Sequence, residues 1–164
     1  FIQQKIEGFG GIRFGPKIAK QMKHNYDVLF SGNWSTMYEF GNHLEEQRKS
    51  DPSPDHYMLE RKAALYIQKT FSGFGPKQSR NFWQSLGLTR YEFVLDSRVL
   101  KWLRTIGFSL PLSSMALGEE EYYCFVSDIL RDWCIQTGIL PCILDAAIFS
   151  SYDTDEWPED ASVW

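Results

Sequence analysis

The sequence predicts an all-α fold, and two patterns carry that reading. Val, Ile and Thr never alternate with polar residues over a stretch long enough to make a strand. Apolar residues recur instead at helical spacing. Leu59, Ala63, Tyr66, Ile67 and Thr70 share one face, and Tyr122, Phe125, Val126, Ile129 and Trp133 share another. Proline and glycine supply the punctuation: Pro54, Pro76 and Pro141 stand where a helix would start, and Gly87, Gly107 and Gly138 where one would stop.

Taken in order, these signals place helices at about residues 1–7, 16–30, 35–48, 55–71, 76–87, 96–107, 119–137 and 141–150. The second opens on Gly15-Pro16. The fourth follows a polar loop, Lys-Ser-Asp-Pro-Ser-Pro-Asp-His at 49–56, and the fifth opens on Gly75-Pro76. The sixth starts at Asp96, a favoured N-cap residue, and the seventh follows a second loop at 109–118. The acidic stretch 151–164, with Pro158 inside it, is expected to be poorly ordered. The reading is one domain over 1–150 and a tail.

A chain of 164 residues with 43% apolar content can fill a single core. No apolar run reaches the roughly 18 residues of a membrane span, and the opening Phe1-Ile2-Gln3-Gln4-Lys5 lacks the pattern of a secretory signal. An intracellular protein is expected, in cytoplasm, nucleoid or nucleus, and the missing initiator Met points to an absent N-terminal piece. The formal net charge is −4, which alone would repel phosphate. The distribution matters more. Residues 61–104 hold nine Lys or Arg against Glu92 and Asp96, a net +7, whereas 151–164 carry five acids and no Lys or Arg. A local basic face is what counterion release on a nucleic acid requires.

That basic segment contains Phe71-Ser72-Gly73-Phe74-Gly75-Pro76-Lys77, a glycine-rich hairpin at 71–77 between helices at about 55–71 and 76–87. Small residues let backbone approach an anion, and the following helix aims free N–H groups at it. Asp96, in Leu95-Asp96-Ser97-Arg98, lies 19 positions after Lys77. Phe14-Gly15-Pro16-Lys17-Ile18-Ala19-Lys20 copies the local pattern of Phe74–Arg80, but the residue 19 after Lys17 is Thr36, and Glu39 is off the spacing. Lys17 is therefore read as an ordinary helix start.

The hairpin, the lysine and the distant aspartate together resemble the helix-hairpin-helix DNA glycosylase superfamily, whose members include endonuclease III and 8-oxoguanine glycosylase. The resemblance covers 1–150 and is strongest over 59–104. It implies a compact helical glycosylase fold with a cleft for DNA and a flipped base, and a partner that is duplex DNA containing a damaged base. It also implies a bifunctional glycosylase and AP lyase acting as a monomer in base-excision repair. By resemblance Lys77 is the nucleophile and Asp96 the carboxylate beside C1′. An ammonium cannot attack, so the amine must be neutral, which a helix N-terminus and a partly desolvated cleft both favour. Asp96 is at once a natural N-cap and a natural catalytic anion.

Gly73 and Gly75 match the positions whose amides hold a phosphate in the family, and hairpin carbonyls there often hold a monovalent cation. Gln3 and Gln4 resemble the polar pair that fills the duplex gap, and Arg80, Arg98 and Lys101 are the basic residues expected to touch the backbone. The base pocket needs an aromatic wall. Trp34, Trp83, Trp102, Trp133 and Phe149 are on offer, with Trp83 and Trp102 nearest the proposed pair. Two departures stand out: Ser97-Arg98 follows the aspartate where the family has Thr, Val or His, and the elements completing the other half of the fold are short or absent.

Cys124, Cys134 and Cys142 are spaced C-x9-C-x7-C, too few and too far apart for the family's iron–sulfur cluster. Buried thiols are the expectation, and no cofactor or metal site is read from them or from His24, His43 and His56. Lysine without a cluster leans toward oxidised purines, with 8-oxoguanine leading. Uracil, mismatched thymine and alkylated or hypermodified bases stay open. So do a monofunctional glycosylase and two non-enzymatic alternatives: a helix-hairpin-helix module that grips the backbone, and a helical interaction protein.

Overall fold

The computed structural model describes residues 2–9 and 14–152, and among these it is all-helical, without a strand. The elements are α1 (Ile2–Phe9), α2 (Gly15–Val28), α3 (Trp34–Lys49), α4 (Tyr57–Thr70), α5 (Pro76–Ser85), α6 (Ser97–Thr105), α7 (Glu120–Thr137) and α8 (Pro141–Ser151). The expected acidic tail lies outside the described residues beyond Tyr152. Among the described residues no single helix is long and apolar enough to cross a membrane.

Helix boundaries follow the punctuation. Pro16, Pro76 and Pro141 occupy first-turn positions of α2, α5 and α8, where a missing N–H costs nothing. Gly138 closes α7 at φ +70°, a left-handed cap. The expected second helix, about 16–30, ends earlier: Leu29–Asn33 breaks at Ser31 and at Gly32, whose φ of +119° turns the chain into α3.

Two apolar clusters form the core. One gathers Leu44 of α3, Ala63, Ala64 and Ile67 of α4, Phe71, and Trp83 of α5. The other gathers Phe93 and Leu95 of the segment before α6, Val99 and Leu103 of α6, Tyr123, Val126 and Leu130 of α7, and Ile148 of α8. The buried faces are rotated from the expected ones. In α4 the buried residues are Glu60, Ala63, Ala64 and Ile67, and in α7 they are Tyr123, Val126, Ser127, Leu130, Arg131 and Cys134. Phe125 and Trp133 of the expected α7 face are exposed. The reason is polar: Glu60, Ser127 and Arg131 have work inside and draw their faces inward.

That work lies along the seam between the clusters. Residues 91–95 run through it fully buried but in no ladder, so their amides need side-chain partners. The Glu60 carboxylate accepts from the N–H groups of Arg90, Tyr91 and Glu92 at 2.8, 2.8 and 2.9 Å. The Tyr123 hydroxyl accepts from Leu95 N–H at 2.8 Å and donates to Phe93 O at 3.0 Å. Asp145 Oδ2 accepts from Val94 N–H at 3.4 Å and from Gln84 Nε2 at 2.7 Å.

Candidate functional site

The two candidate catalytic residues come from opposite sides of this seam. Lys77 sits half-buried in the first turn of α5, which packs into the first cluster through Trp83. Asp96 ends the buried segment that feeds the second cluster through Leu95 and Val99. It caps α6: Asp96 Oδ1 accepts from Arg98 N–H at 2.8 Å and Val99 N–H at 2.9 Å. The N-cap role read from the sequence is therefore present in the structure.

The turn before Lys77 is pinned from outside its own helices. Asn25 of α2 donates through Nδ2 to Ser72 O at 2.9 Å and accepts through Oδ1 from Ser72 N–H at 2.8 Å, a two-way clamp. Gly73 follows at φ +89°, where a Cβ would stand 2.9 Å from the Gln21 side chain. Gly75 is the extended N-cap of α5, at φ −95°. Phe71, Phe74 and Phe82 meet edge-on at 6.4 and 6.2 Å beneath the turn. A partner 47 residues away cannot be read from a heptapeptide, so Asn25 is not legible in the sequence.

Arg80 requires a correction. It was expected on the DNA-contacting surface, but its side chain is 1% exposed. Its Nε donates to Glu92 Oε2 at 2.6 Å, its Nη2 to Glu120 Oε1 at 2.8 Å, and its Nη1 to Pro76 O at 3.0 Å, one turn back beside Lys77. The guanidinium also lies 4.5 Å from the Tyr123 ring centre. Burial lowers its proton affinity, and the Glu92 and Glu120 carboxylates more than reverse that. Arg61 joins the same network, bonding Glu92 at 2.7 Å and also Asp128, which in turn bonds Arg131 at 2.7 Å. Burial works against the Asp128 charge, but Arg61 and Arg131 outweigh it and hold the carboxyl below its ordinary range. Two of the nine cations counted as a basic face thus face inward, neutralised, and tie α4, α5 and α7 across the seam.

Trp83 is the second correction. It was expected to wall a base pocket, yet it is 2% exposed inside the first cluster, with Phe40 and Phe82 as ring neighbours. It is core. Trp102 is half-buried against the second cluster. Arg98 places its guanidinium 3.8 Å from the Phe149 ring centre, and exposed Lys101 places its amine 4.5 Å from that of Tyr152, so Phe149 of α8 and Tyr152 just after it hold both cations on their ring faces. Gln4 is exposed on α1. Gln3 is on the same helix, and its side chain lies outside what the structure describes.

Of the expected buried thiols, Cys134 is buried, whereas Cys124 is half-buried 3.3 Å from Arg80 Nη2 and donates to Glu120 Oε1 at 3.3 Å. Burial pushes the Cys124 thiol up to about 12, which keeps it protonated and unreactive. Among the described residues no three His, Cys, Asp or Glu side chains group as a metal site. Glu60 and Asp145 are the functional-looking groups the sequence reading missed. Asp145 has a signal, a lone carboxylate in the apolar run Ile143-Leu144-Asp145-Ala146-Ala147, whereas Glu60, followed by Arg61 and Lys62, looks like a surface residue. Compared with known proteins, the chain matches no family model, no curated protein and no solved structure.

Proposed function

We propose that the protein is a DNA glycosylase with AP lyase activity, in which Lys77 attacks the deoxyribose C1′ of a flipped, damaged nucleotide. The observation that supports this best is the shared scaffold of Lys77 and Asp96. A pinned glycine turn delivers Lys77 to the start of α5, and the buried segment delivers Asp96 to the start of α6, both anchored in one seam. In this reading the Gly73–Gly75 turn and the α5 N-terminus take a phosphate. The fold is then a helix-hairpin-helix glycosylase fold built from α4, the turn and α5.

The chemistry follows from the residue types. The neutral Lys77 amine forms a bond to C1′ as the bond from C1′ to the base breaks, and the departing base takes the electron pair and a proton. Asp96 supplies negative charge where C1′ becomes positive. The sugar ring then opens to a Schiff base on Nζ. Loss of a C2′ proton expels the 3′ phosphate, which nicks the strand. Duplex DNA with an oxidised purine, 8-oxoguanine first, is the proposed substrate, acted on by a monomer within the cell.

A second reading draws on one observation: Asp96 already has a full structural role as a cap. In that case α4, the turn and α5 only grip duplex backbone. Borohydride trapping on a panel of lesion duplexes, with 8-oxoguanine opposite cytosine among them, separates the two. A covalent complex is expected on at least one lesion. Binding of every duplex with no trapped complex would favour the grip alone.

A further inference from the structure

A row of large apolar residues running from α2 across the break at Leu29–Asn33 into α3 is left unexplained by the site above. Met22, Tyr26, Phe30, Trp34 and Tyr38 recur every four residues, and each leaves half or more of its surface in solvent. The rings are contiguous. Tyr26 and Phe30 are 4.6 Å apart between centres, and Phe30 and Trp34 lie parallel, 3° apart in plane, at 6.1 Å. A run of large exposed rings of this kind marks a surface that binds something.

Its position says what. Gln21 and Asn25 turn toward the glycine hairpin, where Asn25 holds Ser72. At about 100° per residue, Met22 and Tyr26 come next around the helix, Lys23 follows them and Lys20 lies beyond Asp27, whereas Lys17 returns to the hairpin side. The rings therefore lie between the hairpin and the exposed Lys23 and Lys20. Residues 14–38 carry those three lysines against one acid, Asp27, which pairs with Lys23 at 3.1 Å on the exposed surface. Flat aromatic faces flanked by cations suit a polyanion that has rings of its own. A paired base hides its faces in the duplex stack, whereas an unpaired base offers them.

We propose that Tyr26, Phe30 and Trp34 are a stacking surface for the bases of an unpaired DNA strand, with Lys20 and Lys23 meeting its phosphates. The inference rests on the reading of the hairpin as a DNA-binding element. Fluorescence anisotropy with the full chain tests it, using an oligothymidylate of about 15 nucleotides and a duplex of the same length. The variants are Phe30→Ala, Trp34→Ala and the two combined. Each ring removed should weaken the single strand about ten-fold while the duplex changes about two-fold or less, and the single strand should quench Trp34 emission.

An unchanged single-strand affinity in the double variant overturns the stacking surface. So does a wild-type chain that binds the duplex but not the single strand, which leaves the hairpin reading standing. Binding of neither nucleic acid sinks both. Self-association by sedimentation that the double variant abolishes would assign the row to a second copy of the chain and would also overturn the proposal.

Discussion

The tetrapeptide Phe-Gly-Pro-Lys opens two helices in this chain, and the two openings are built differently. At α2, Phe14 is 71% exposed with a left-handed φ of 62°, and Lys17 and Lys20 stand in solvent. At α5, Phe74 meets Phe71 and Phe82 edge-on, the preceding Ser72 is clamped by Asn25, and Lys77 is half-buried. The residue matching Lys20 is Arg80, sunk into an ion-pair network. Proline in the first turn starts a helix in both places. What distinguishes a candidate site from a plain helix start is the shell around it, contributed by residues far away in sequence.

The largest expected effect separates the two lysines. Lys77→Gln should abolish base excision and strand nicking while DNA affinity stays within a few-fold, because binding is spread over many groups. Lys17→Gln should leave both activities at the wild-type level. Nicking assays on a lesion duplex, run beside gel shifts, make the comparison. Loss of nicking in both variants would erase the distinction drawn between the two openings.

Asp96→Asn comes next. Asparagine caps a helix about as well as aspartate, so stability should fall by only about a few tenths of a kcal/mol. Removing one preorganised charge should slow excision on the order of 100- to 1,000-fold. Single-turnover excision beside a thermal melt reads both. A large drop in melting temperature with unimpaired excision would make Asp96 a cap only.

Arg80 and Lys20 sharpen the comparison at the level of stability. Arg80→Ala leaves Glu92 Oε2 buried without its partner, with Arg61 still bonded to Oε1, and should cost about 3–5 kcal/mol, whereas Lys20→Ala should change stability by less than about 0.5 kcal/mol. Denaturant unfolding measures both. Because Arg80 also bonds Pro76 O at the base of the Lys77 turn, excision should fall along with stability.

These sites show where sequence was legible and where it was not. Starts and stops of α5, α7 and α8 could be read because Pro76, Pro141 and Gly138 act through their own backbone preferences. Asp96 was legible as a cap for the same local reason. Arg80 was not, since its partners Glu92 and Glu120 lie 12 and 40 residues away and composition counts a buried arginine like an exposed one. The inward faces of α4 and α7 were misplaced because an apolar pattern omits Glu60 and Arg131, which are buried for their bonds. Asn25 was illegible because its clamp spans 47 residues.

The smallest effect concerns pH and the seam carboxyls. Burial pushes Glu60 up to about 7 against the three amides it accepts from, and pushes Asp145 up to about 6 against Gln84 and Val94. Both bind their proton more tightly folded than unfolded. Their contribution to stability is therefore full below about pH 4 and is lost as pH rises through about 6 and then about 7. Asp145→Asn should keep its bonds and flatten the decline near pH 6, by about 1–3 kcal/mol. Unfolding free energies across that range in both proteins check it. An equal slope in the two would mean that Asp145 does not titrate in the seam.

The central claim is that the embedded opening, and not its exposed copy, carries the nucleophile. The most direct measurement is borohydride reduction of the wild-type protein on a lesion duplex, followed by peptide mapping of the cross-linked residue by mass spectrometry. Hydride reduces the carbon–nitrogen double bond and leaves the sugar fixed to whichever amine attacked. A cross-link on Lys77 alone is the predicted result. A cross-link on Lys17, or a base released from the duplex with no lysine modified, would contradict it.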